Sequence, residues 1–66
     1  MMINVNGRTV QLEAAASVRT LLEELELGQA ACAVEVNKRL VPHRTYGEHA
    51  LDDGDEVEIV TFVGGG

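Results

Sequence analysis

The sequence predicts an α+β domain in which a mixed sheet of about five strands carries one helix across one face. Three features predict it. Residues 2–13 and 31–41 each read as a pair of short strands around a tight polar turn. Between them lies a single stretch with helical periodicity. A last β-rich segment, Val57 to Val63, runs up to a terminal Gly64-Gly65-Gly66.

The first strand is read from Met2-Ile3-Asn4-Val5-Asn6, where apolar and polar residues alternate and Ile3 and Val5 share one face. Asn6-Gly7 is a strong hairpin signal, because both residues tolerate positive φ. Thr9-Val10-Gln11-Leu12-Glu13 alternates again, with Val10 and Leu12 inward. Ser17 suits a helix N-cap, since its hydroxyl can accept from a free amide of the first turn. Val18, Leu21, Leu22 and Leu25 then form the stripe of an amphipathic helix over 18–27. Gly28 is the expected left-handed residue that ends it. Glu23, Glu24 and Glu26 oppose the helix macrodipole, and a solvated face is their simplest reading.

Cys32 to Val36 reads as a strand with Cys32, Val34 and Val36 on one face. Asn37-Lys38-Arg39 is a polar turn, and Leu40-Val41 is a short strand stopped by Pro42, which has no amide to give a ladder. Residues 43–50 are polar and read as irregular, with room for a turn of 3₁₀ helix. Leu51 is placed as a plug of the core, and Asp52-Asp53-Gly54-Asp55 as a tight turn. These elements make one domain over 1–63, followed by a flexible glycine tail over 64–66.

Composition narrows the function. The chain has 66 residues, and a domain of that size buries only about 60% of the surface its unfolded chain exposes. With one Phe, one Tyr and no Trp, the core is aliphatic and leaves little room for a deep ligand cavity, which usually needs roughly 300 Å³ or more. A self-contained active site is not expected, and the chain is read as no enzyme. Eleven acids against five scattered basic residues leave a net charge of −6. That disfavours nucleic acid and anionic membrane as partners and favours a basic protein surface. One cysteine makes no internal disulfide, and no run approaches membrane-spanning length. A cytoplasmic monomer is the expectation.

The tail carries the chemistry. Glycine is a poor choice for order, but a chain without Cβ atoms threads a narrow channel. It can thus bring the Gly66 carboxylate to a reactive centre in another protein. A carboxylate is a poor electrophile until adenylation removes its charge and supplies AMP as leaving group. A sulfur nucleophile then gives a thiocarboxylate. Taken alone, three glycines also fit a frayed end. The strand before them adds weight: if Val57 and Ile59 face the core, Val60 and Phe62 point outward and, with Val63, form a docking patch beside the tail. The competing reading folds Phe62 over a sheet edge.

Four segments together resemble the ThiS family of sulfur carriers, which have the ubiquitin-like β-grasp fold. They are Ile3-Asn4-Val5-Asn6-Gly7, Ser17 to Leu22, Val36 to Pro42, and Leu51 to Val60 with Phe62-Val63-Gly64-Gly65-Gly66 behind it. The resemblance covers essentially the whole chain. It implies that Gly66 is adenylated by an activating enzyme that uses MgATP, with no cofactor bound by this chain. A sulfur donor system then converts it to a thiocarboxylate, which thiazole synthase consumes in thiamine biosynthesis. Carriers of the same chemistry also serve molybdopterin, cysteine or tRNA thiolation. A ubiquitin-like module that only binds is the alternative of another class.

Other residues are set aside. Cys32 is assigned to core packing. His43 and His49 match no zinc spacing, and no metal site is expected. Asp52, Asp53 and Asp55 lack the rest of a calcium loop.

Overall fold

Two hairpins and one late strand build the sheet. In the computed structural model, which describes residues 1–62, β1 (Met2–Val5) pairs antiparallel with β2 (Arg8–Gln11), and β3 (Cys32–Val36) with β4 (Arg39–Val41). The last strand, β5 (Glu56–Thr61), runs between them, parallel to β1 and antiparallel to β3. The order is β2-β1-β5-β3-β4, so the last strand occupies the middle of the sheet. The expected α+β arrangement of five strands and one helix is the one observed. Val63 and the predicted tail 64–66 lie outside the described residues.

Both hairpins close on left-handed residues. Asn6 and Gly7 have φ of 51° and 86°, and Asn37 and Lys38 have φ of 51° and 69°. Two successive positive φ values make a type I′ turn, whose twist matches that of the strands it joins. In both turns the first residue is Asn, and each Asn reaches β5. Asn37 Oδ1 accepts from the Glu56 N–H at 3.0 Å, while Asn6 Oδ1 accepts from the Ile59 N–H at 2.8 Å.

One face of the sheet is sealed by helix α1 (Val18–Glu24), with Val18, Leu21 and Leu22 buried against Ile3, Val34, Val57 and Ile59. Ser17 caps the helix by accepting from the Thr20 N–H at 3.2 Å. The helix ends before the predicted residue 27, and Gly28 is not its left-handed residue. That role falls to Glu26, at φ 61°. The Glu26 N–H donates to the Glu23 carbonyl at 3.0 Å and the Leu27 N–H to the Leu22 carbonyl at 2.7 Å. This is the paired bonding of a Schellman cap. The reason is hydrophobic: Leu27 is off the apolar stripe of a continued helix, whereas the early stop swings it back onto the core.

Residues 43–50 hold the expected 3₁₀ turn and, beside it, a core residue the sequence reading did not assign. A short 3₁₀ helix, His43–Thr45, leads into Tyr46, which is buried at 4% exposure. The Tyr46 carbonyl accepts from the Arg19 N–H and the His49 carbonyl from the Val18 N–H, so this segment caps the helix start. Burial pushes the Tyr46 phenol above its ordinary pKa; nearby Cys32 adds to this and a main-chain hydrogen bond at Val34 opposes it. Leu51 is buried at 1% exposure, as a core plug should be. Among the described residues, no helix is long and apolar enough to cross a membrane.

A glutamate held left-handed is strained by about 1 kcal/mol relative to glycine. Glu26→Gly is therefore expected to raise the unfolding free energy by about that amount, measured by urea denaturation. A loss of stability would show that the Glu26 side chain contributes something the cap does not explain.

Candidate functional site

The site is built on the sheet face that the helix leaves open. Along β5 the side chains alternate: Val57 and Ile59 are buried, while Glu56, Glu58 and Val60 are exposed. The expected outward placement of Val60 and Phe62 is observed, at 57% and 63% exposure. Phe62 does not fold over a sheet edge; its N–H donates to the Ala31 carbonyl at 2.9 Å, continuing the β3–β5 ladder one residue past the strand. The third predicted docking residue, Val63, lies outside the described residues, as do Gly64, Gly65 and Gly66.

Cross-strand register adds residues that sequence reasoning missed. Ala33 of β3 stands opposite Val60, and Glu35 opposite both Glu58 of β5 and Leu40 of β4. Leu40 is 66% exposed, the most open of the large apolar residues described. Its outward direction was legible in principle, since Val41 beside it is buried and neighbours alternate. The open face thus presents Leu40, Val60 and Phe62 around Glu35, Glu56 and Glu58. Apolar area beside like charges fits a partner surface that is apolar and basic.

The residues set aside from the chemistry fall elsewhere. Cys32 lies on the helix side of β3 but is only half-buried, because it pairs with Thr61 at the exposed end of the ladder. It is packed at the core's margin rather than within the core. His43 lies against Tyr46 with ring centroids 4.9 Å apart. Asp55 is a turn residue, as expected: one carboxylate oxygen accepts from the Asn37 amide at 2.9 Å and the other from the Asp52 N–H at 2.8 Å. A cleft of about 140 Å³ beside Cys32, Leu27 and Tyr46 is below the usual size of a small-molecule site.

The sequence pattern of the ThiS family matches residues 2–66. The chain belongs to the ThiS family. It is 33% identical over 66 residues to the sulfur carrier protein ThiS of Escherichia coli K12, covering all of both chains. It is 41% identical over 66 residues to a thiazole synthase of Paramagnetospirillum magneticum. There the match covers all of this chain, which spans only 20% of that protein's length. The crystal structure of the thiamine biosynthesis protein ThiS from Geobacter metallireducens superposes with a TM-score of 0.83 at 32% identity, covering all of both chains. The ubiquitin-like β-grasp fold is thereby shown.

The facing carboxylates set a stability test. Glu35 and Glu58 are directly opposed, and like charges so placed destabilise a sheet. Glu35→Lys is expected to raise the unfolding free energy by about 0.5 kcal/mol at low salt. The gain should shrink in high salt, where exposed charges are screened. Urea melts at two ionic strengths check both parts.

Proposed function

We propose that the chain is a sulfur carrier of thiamine biosynthesis whose reacting group is the C-terminal carboxylate of Gly66. The observation that carries this reading is family membership over residues 2–66, which includes the glycine end. The thiazole synthases that contain a match to this whole chain within one polypeptide support thiazole synthase as the acceptor. In two relatives, carrier-like and synthase sequences thus share a molecule.

The chemistry follows from the terminus. The carboxylate oxygen attacks the α-phosphorus of MgATP on an activating enzyme, forming the acyl-adenylate and releasing pyrophosphate. A sulfur nucleophile from the donor system then attacks the acyl carbon. With sulfide as that nucleophile, the C–S bond forms as the bond to AMP breaks, and loss of the sulfur-bound proton leaves the thiocarboxylate. This chain supplies the acyl group and a docking face; the nucleotide site and the sulfur-bearing residues belong to partners. The carrier is a co-substrate, regenerated after each delivery. Leu40, Val60 and Phe62 give docking area, while Glu35, Glu56 and Glu58 steer encounter with a basic surface.

Intact mass after incubation with MgATP, an activating enzyme and a sulfide source tests the reading. One oxygen replaced by sulfur, located at Gly66, is expected. The exchange should be lost when one residue is added beyond Gly66, because the carboxylate then misses the reacting centre. An unchanged wild-type mass, with an enzyme competent on another carrier, would make the chain a binding module instead.

Docking is tested separately. Phe62→Asp should raise the KM for the carrier in adenylation by roughly tenfold, as expected for losing one anchor of an interface. The circular dichroism spectrum should stay unchanged, because Phe62 is exposed. Unaltered kinetics would remove Phe62 from the docking face.

A further inference from the structure

The end of β5 is held differently on its two sides. On the β3 side the ladder runs the full strand, with Val60 opposite Ala33, Thr61 opposite Cys32, and the Phe62 N–H on the Ala31 carbonyl. On the β1 side, strand pairing ends at Val5↔Val57. The Asn6 N–H still reaches the Val57 carbonyl at 2.9 Å, but there the chain of β1 turns away into the hairpin.

The Asn6 side chain takes over at that point. Its Oδ1 accepts from the Ile59 N–H at 2.8 Å and its Nδ2 donates to the Ile59 carbonyl at 3.0 Å. A carboxamide offers one acceptor and one donor, the same pair that a strand residue would present. Asn6 thus acts as one further strand residue built from a side chain. Both contacts are partly buried, where hydrogen bonds are less exposed to competition from water. The clasp exists because Asn6 sits at φ 51°, which directs its side chain across β5 while the main chain reverses.

We infer that Asn6 is a positioning residue for the reaction at the chain's end: its two-bond clasp on Ile59 sets the direction in which β5 delivers the terminal segment. This rests on the sulfur-carrier reading above. Among the described residues, Ile59 is the last of β5 with main-chain bonds on the β1 side, so the clasp fixes that edge of the strand where docking face gives way to terminus. Docking residues Val60 and Phe62 remain fastened to β3 without it. Loss of the clasp should therefore change how well the docked carrier presents its carboxylate more than how tightly it docks. In kinetic terms the effect belongs in kcat rather than KM.

The molecule contains its own control. Asn37 occupies the equivalent place in the second I′ turn, with the same φ, and its Oδ1 accepts from the Glu56 N–H at the opposite end of β5. Its Nδ2 goes to the Asp55 carboxylate. Glycine at either position keeps the turn, which needs positive φ, and removes only the side-chain bonds. Each variant loses two side-chain bonds, partly buried at Asn6 and exposed at Asn37, and only Asn6 lies at the delivering end.

The test compares Asn6→Gly and Asn37→Gly with the wild type in adenylation, followed by pyrophosphate exchange with the carrier as varied substrate. Amide hydrogen exchange at Ile59 is measured in parallel. Asn6→Gly should speed Ile59 exchange and lower kcat about tenfold, with KM within about twofold. Asn37→Gly should leave kcat within about twofold of wild type. Faster Ile59 exchange with unchanged kcat would overturn the inference, as would equal kcat losses in both variants, which would reduce the clasp to stability alone. If Asn6→Gly does not fold, Asn6→Asp carries the test, since it keeps the accepting oxygen and loses the donor; it should show a smaller kcat loss of the same kind, and wild-type kcat there would overturn the inference. A wild-type chain inert on an enzyme that is competent with another carrier would instead refute the carrier reading, and this inference with it.

Discussion

Everything in this domain depends on the placement of its last strand at the centre of the sheet. β5 is covered on both edges, by β1 in parallel and β3 in antiparallel pairing, and its inward side chains Val57 and Ile59 are core residues. A terminal strand at a sheet edge could fray. A central one ties residues 56–62 to the same cooperative unit as the helix and both hairpins. Under the proposed function, the reacting carboxylate then has a fixed point of departure in β5, although a domain this small is marginal in core size.

The two hairpins serve that strand as much as their own pairing. Each closes on an asparagine in the left-handed region, and each asparagine hydrogen-bonds the β5 main chain. Turn chemistry and sheet assembly are thus one device: the conformation that reverses the chain also aims an amide at the neighbouring strand. Helix capping shows the same economy. Ser17 closes the helix start, the Schellman cap closes its end, and the segment around Tyr46 supplies carbonyls for the first amides.

The open face tells against a purely structural account of the sheet. Stability alone would not place Glu35 opposite Glu58, nor leave Leu40, Val60 and Phe62 in water. The docking role proposed for this face would account for both, because a basic partner would relieve the repulsion and its apolar groups would cover the exposed area. Local conflicts of this kind are where function is expected to override folding rules.

Local pattern by itself determined much of this protein. Alternation placed Ile3, Val5, Val34, Val36, Val57 and Ile59 inward and Val60 and Phe62 outward, because a strand's side chains alternate whatever it packs against. Asn6-Gly7 and Ser17 announced a turn and a helix start, since both rest on bonds within a few residues. Tertiary structure decided the rest. Leu27's need to reach the core moved the helix end from Gly28 to Glu26, against the intrinsic preference of both residues. Tyr46, in a polar stretch, became core because the helix start needed a cover. Cys32 stopped short of full burial because its strand partner Thr61 is exposed. The assembly of Leu40 with Val60 and Phe62, and the clasp of Asn6 on Ile59, join residues far apart in the chain; only strand order and register could bring them together.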